Sequence, residues 1–123
     1  MNGHMTIGVL SARTGVRVKA LREYTDLGLI HTLGRSAAGY RLYTDDALWC
    51  VRFIGELRGL GLTIAEICQL TDDAVDSGDG AVGARLAELL ERSRQRLHRR
   101  ISDAQQILDR IDDFTSIHRA RWA

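Results

Sequence analysis

Residues 6–28 read TIGVLSARTGVRVKALREYTDLG, and this stretch decides the fold. Ile7 and Leu10 lie three apart on a short segment that Thr6 can cap by accepting a hydrogen bond from a first-turn amide. Thr14-Gly15 ends the segment, because glycine tolerates the left-handed conformation of a helix exit. Val18, Leu21, Tyr24 and Leu27 then fall on every third residue until Gly28, which predicts a second helix. Two short helices joined by a glycine turn make either a helix-turn-helix or a plain helical hairpin.

The next residues add a wing. Leu29-Ile30-His31-Thr32-Leu33 and Tyr40-Arg41-Leu42-Tyr43 flank the small, glycine-bounded stretch 34–39, which predicts a β-hairpin with a longer loop. On its second strand Tyr40 and Leu42 share one side, Arg41 and Tyr43 the other. Thr44-Asp45-Asp46 can start a third helix with Leu48, Val51, Ile54, Leu57 and Leu60 as its buried stripe and Phe53 beside it. Thr63-Ile64-Ala65-Glu66 has the form of a capping box, with Leu62 and Ile67 as a hydrophobic staple for a fourth helix.

Composition narrows the class. Of 123 residues, 45% are hydrophobic and 27% charged, which fits a single globular unit and argues against disorder. No apolar run reaches the ~20 residues of a membrane span, and Met1-Asn2-Gly3-His4 lack the apolar core of a secretion signal. The two cysteines, Cys50 and Cys68, lie inside apolar helical patterns, as small buried hydrophobes of a reduced, cytoplasmic protein. Two distant thiols and scattered histidines do not make a metal site, and no cofactor motif is present. No nucleophile–base pair or catalytic carboxylate pair stands out, so an enzyme is not expected.

Net charge is only +1, but it is unevenly spread. Residues 1–70 carry 8 Lys/Arg against 6 Asp/Glu, residues 71–83 none against 4, and residues 84–123 carry 9 against 6. The acidic, glycine-containing stretch 71–83 therefore reads as a linker. From Ala84 to about Ile117 runs one long helical pattern. Leu86, Leu90, Leu97, Ile101, Ala104, Leu108 and Ile111 form a heptad-like seam, with Ile107 and Phe114 adjoining. A helix of roughly 50 Å cannot bury that seam on so small a head, so a second copy is the expected partner. The alternative is a helix folded back on its own domain. Residues 119–123 form a tail, where Trp122 suits packing on a partner subunit.

These motifs together resemble the MerR-type transcription regulators. Residues 7–16 and 21–30 are similar to the first two helices of that family, Gly39-Tyr40-Arg41-Leu42-Tyr43 to its wing strand, and residues 53–67 to its third and fourth helices. The likeness covers about residues 5–70. It implies a mainly α fold, an N-terminal winged helix-turn-helix followed by an antiparallel dimerisation helix over 84–118. It also implies binding as a homodimer to a pseudo-palindromic promoter site in double-stranded DNA, with distortion of the spacer so that RNA polymerase engages. It further implies a short form of the family, without a recognisable effector domain, and no membrane partner.

The resemblance also distributes roles. Arg17 and Lys19, at the start of the second helix, would enter the major groove, where such donors read guanine. Arg22, Tyr24, Arg35, Tyr40 and Arg41 would clamp the phosphate backbone, setting register without reading sequence. Glu23 departs from the family pattern, in which two aromatics follow the arginine, and a carboxylate there repels phosphate. A repressor or architectural protein without an inducer, or a protein-interaction module built on the long helix, are the other readings.

Overall fold

The computed structural model describes residues 4–77 and 79–122. In chain order it contains α1 (Ile7–Thr14), α2 (Val18–Asp26), β1 (Thr32–Arg35), β2 (Arg41–Tyr43), α3 (Asp45–Gly59), α4 (Ile64–Ser77) and α5 (Asp79–Trp122). Thr6 caps α1, its hydroxyl accepting from the Val9 amide at 3.4 Å, and Gly15 closes the helix at φ 74°. The turn into α2 is tied locally. The Ser11 hydroxyl donates to the Val16 carbonyl at 2.6 Å, and the Thr14 hydroxyl accepts from the Val16 amide at 3.2 Å. These bonds fix the angle between the two helices, which makes the pair a helix-turn-helix and not a loose hairpin.

The wing is an antiparallel pair with an irregular register between Thr32 and Gly34. Its first strand begins three residues later than the apolar pattern implied, because Leu29 and Ile30 are used as buried core residues. Tyr43 anchors the wing. It is fully buried, exchanges backbone hydrogen bonds with Met5 at 2.7 and 2.8 Å, and its hydroxyl meets that of Thr25 on α2 at 2.9 Å. Leu48, Val51, Ile54 and Leu57 of α3 fill the core as the stripe predicts. Leu60 does not: it stands at the helix exit and is exposed. Thr44 occupies the N-cap position of α3 without a side-chain bond, so Asp45 and Asp46 are left to favour the positive helix end.

The capping box of α4 forms as read. The Thr63 amide donates to Glu66 Oε1 at 2.9 Å, the Glu66 amide donates to the Thr63 hydroxyl at 3.1 Å, and Leu62 and Ile67 are both buried. The acidic stretch 71–83 is not an extended linker. α4 runs on to Ser77 and α5 starts at Asp79, so the stretch is helical on either side of position 78, which lies outside the described residues. An ion pair supports this, with Arg85 Nε 2.8 Å from Asp73 Oδ2 across the two helices. Helix α5 likewise continues through the expected tail to Trp122.

The start of α5 is docked on the head. Leu89 is fully buried, Ser93 nearly so, and Leu86 and Leu90 pack half-buried against the same core. Arg96 then forks onto Glu66, with Nη1 at 3.1 Å from Oε2 and Nη2 at 2.9 Å from Oε1, and Nη2 also reaches the Gly61 carbonyl at 2.9 Å. The Ser93 hydroxyl donates to the Leu60 carbonyl at 2.7 Å. Beyond Arg96 the seam residues of α5 face outward: Leu97, Ile101, Leu108 and Ile111 are all exposed, as is Ala104. The fold-back alternative thus describes α5 up to Arg96, 18 of its 44 residues, and fails for the rest.

Gly61 sits at φ 92°, and a Cβ there would collide with the Ser93 hydroxyl. Gly61→Ala should cost about 2 kcal/mol or more, the left-handed penalty added to displacement of Ser93. Urea unfolding of the two proteins checks this. An equal midpoint would show that the α3–α4 turn does not need this close approach.

Candidate nucleic-acid interface

The residues predicted to touch DNA fall on α2 and the wing, and the structure brings four of them into one cleft. Arg22 of α2 and Arg35, Tyr40 and Arg41 of the wing line an open cleft of about 310 Å³ between the two elements, with Ile7, Gly39 and Tyr43 at its walls. All four side chains that carry donors are exposed. The cleft exists because Tyr43 pins β2 to α2 through Thr25 and to the residues before α1 through Met5. Arg35 is held in place by its own turn, Nη1 donating to the Gly39 carbonyl at 2.8 Å. Tight turn bonds from Ser36 to Gly39 and Tyr40 keep the wing tip compact.

Asp26, one turn after Arg22, also lines the cleft and escaped the sequence reading. Its spacing from Arg22 was the available signal. Three guanidiniums against one carboxylate leave the cleft cationic, the sign needed to hold an anion. Among the described residues no ion pair ties Arg22 or Arg41 to a carboxylate, so both remain free to donate outward.

The remaining predicted residues lie elsewhere. Arg17 occupies the N-cap position of α2 with no side-chain cap, and the first turn has no acidic residue. Together with exposed Lys19 it presents two cations where the helix amides already favour an anion. Neither lines the cleft. Tyr24 is half-buried and packs against the core, so its ring is first a structural element. Glu23 is exposed and does not line the cleft. Cys50 and Cys68 are half-buried with thiols pushed up mainly by burial, helped by Asp46 and Asp72 respectively, so both are poor nucleophiles. Among the described residues no group of three His, Cys, Asp or Glu is placed to hold a metal ion. No described helix is long and apolar enough to cross a membrane.

A family model described as "MerR HTH family regulatory protein" matches residues 5–74, and a second, "MerR, DNA binding", matches residues 48–114. The chain belongs to the MerR family. The second match runs from α3 far into α5, so the long helix belongs to the shared architecture. The MerR-type chain is 31% identical to the nodulation protein NolA of Bradyrhizobium sp. (strain NC92), over 89% of its own length and 43% of that protein. It is 35% identical to the transcriptional regulator MerD of Acinetobacter calcoaceticus, over 75% of its own length and 78% of that protein. Among solved structures, EcmrR in complex with DNA in an open promoter complex has a TM-score of 0.73 and 30% identity, covering 97% of this chain and 41% of that one. The chain therefore spans less than half the length of NolA and of EcmrR.

Replacing Tyr43 by Phe removes the bond to Thr25 while keeping the ring. The expected loss is about 1 kcal/mol, concentrated at the wing. Hydrogen exchange should show faster exchange at the Met5 and Tyr43 amides than at those of α3. Uniform change, or none, would mean that ring packing alone holds the wing.

Proposed function

We propose that this MerR-type regulator acts as a cytoplasmic homodimer on a pseudo-palindromic promoter site and has no enzymatic role. Residues 5–70 form the DNA-binding head and 84–118 the dimerisation helix. The observation that carries the reading is the cationic cleft between α2 and the wing, which gathers Arg22, Arg35, Tyr40 and Arg41. In this role the cleft grips the phosphate backbone, with Tyr24 backing it. Arg17 and Lys19, at the exposed start of α2, reach base edges in the major groove. Leu97, Ile101, Ala104, Leu108 and Ile111 meet the same residues of a second copy, and Leu86 and Leu90 join the seam at its edge while packing on their own head.

Two heads held by one seam contact successive turns of the duplex. Phosphate grips on both flanks offset the kcal/mol-scale cost of bending and untwisting the spacer between promoter elements. RNA polymerase is affected indirectly, through the shape of the DNA. The open promoter complex of EcmrR is one related protein for which DNA and polymerase occur together.

Salt titration of binding to duplex DNA tests the assignment. Arg22→Ala and Arg41→Ala should weaken binding to all sequences about equally, and each should lower the salt slope by roughly one unit. Arg17→Ala should leave most of the slope and relax base preference in a binding-site selection. Unchanged slopes in the first two variants would remove the cleft from the interface. A salt-insensitive protein would favour a protein-interaction module.

A further inference from the structure

Helix α2 keeps one face in water. Lys19, Arg22, Glu23 and Asp26 are all exposed and stand at i, i+3, i+4 and i+7, whereas Leu21 is fully buried and Tyr24 and Thr25 are half-buried. On the second helix of a helix-turn-helix, such a stripe is the part that meets base edges when the helix enters the major groove.

Two cations and two carboxylates share the stripe, and the carboxylates are placed differently. Asp26 lines the cleft with Arg22, Arg35 and Arg41, so three guanidiniums offset its charge. Glu23 lies outside that lining. Lys19 stands one turn before Glu23, at the spacing of a helix ion pair, yet among the described residues no ion pair joins the two.

An ionised carboxylate only accepts hydrogen bonds, so against DNA it gains only where it meets a donor. Phosphates offer none and repel it. In the major groove guanine presents two acceptors, N7 and O6, and thymine an acceptor and a methyl group. Adenine has a donor at N6, but the N7 acceptor beside it repels the second carboxylate oxygen. Cytosine offers its N4 amino group with no acceptor next to it on that edge. The guanine paired with it presents the acceptors that suit the Lys19 ammonium. Lys19 and Glu23, about 6 Å apart along the helix axis, thus offer a donor and an acceptor to G·C pairs, whose edges carry the reverse pattern.

We propose that Glu23 is a specificity-determining residue, its carboxylate accepting a hydrogen bond from the N4 amino group of a cytosine in each half-site. The carboxylate forgoes any phosphate contact at this position and selects sequence in exchange. This rests on the DNA-binding reading of α2 given above and adds the base that one residue reads.

Binding-site selection from random duplexes with the full chain, and with Glu23→Ala and Glu23→Gln, tests it. The parent should select a cytosine at one position of each half-site and discriminate against the other bases there by about tenfold. Glu23→Ala should lose that preference while every other position of the motif stays. Glu23→Gln should move the preference toward adenine, because an amide can serve N6 and N7 together. Circular dichroism should show unchanged helix content in both variants. A Glu23→Ala protein that binds every duplex more tightly by the same factor, with the motif unchanged, would overturn the proposal and leave Glu23 as a repulsive charge only. A parent motif without a cytosine dependent on Glu23 would overturn it as well, with DNA binding still standing. A parent that binds no duplex would overturn the DNA-binding reading itself and this proposal with it.

Discussion

The two-toothed bond between Arg96 and Glu66 is the joint on which the molecule turns. Glu66 is buried at the start of α4, where it closes the capping box, and its remaining acceptor capacity is filled by the guanidinium fork from α5. The Arg96 hydrogen bonds outweigh burial and hold the Glu66 carboxyl below the usual carboxylate range. A lowered carboxyl contributes its stability fully above its unfolded value, ~4.3, and loses it as pH falls through the lowered folded value. At neutral pH the joint is therefore at full strength. One acid serves two helices, so the direction in which α5 leaves the head is set by the same residue that starts α4.

That joint divides the 44-residue helix. Before it, Leu86, Leu89, Leu90 and Ser93 spend their faces on the head. After it, about two further heptads of apolar residues face water. A helix of that length gains little from propensity alone and is stabilised mainly by burying such a face. The exposed seam is thus the structural basis of the proposed association, in which the rigid joint would fix the heads and not merely tether them. The cationic cleft, held open by Tyr43 at the other side of the head, inherits its placement from both.

Much of this was legible in the residues. Thr6, Gly15, Gly28 and the Thr63/Glu66 box are local signals whose physics acts within one turn, and each appears where it was read. The exposure of the cationic side chains was legible too, since charge on a helix start or a wing has no packing competitor. What could not be read were contacts between elements distant in sequence. Leu89 was passed over because the heptad count favours Leu86 and Leu90, yet it is Leu89 that faces the core. Asp72, Asp73, Asp76 and Asp79 counted as linker residues by charge and glycine content alone. Helix continuation from both neighbours and the Asp73–Arg85 pair override that local preference. Leu60 carries the periodicity of its helix but falls at the exit turn, where the chain bends toward Gly61 and leaves it in water. Tyr43 was legible only as a strand residue on the face opposite Leu42; its full burial and its bond to Thr25, 18 residues away, were not.

The central claim is that the seam beyond Arg96 pairs two chains and that pairing produces tight DNA binding. Leu97→Glu with Ile101→Glu places four unpartnered carboxylates in the dimer core, a penalty of several kcal/mol. Sedimentation together with a gel-shift on a full pseudo-palindromic site measures the consequence. The account predicts a folded monomer that retains weak half-site contact and loses the steep gain from two linked heads. A double variant that stays dimeric and binds the full site as before would contradict it.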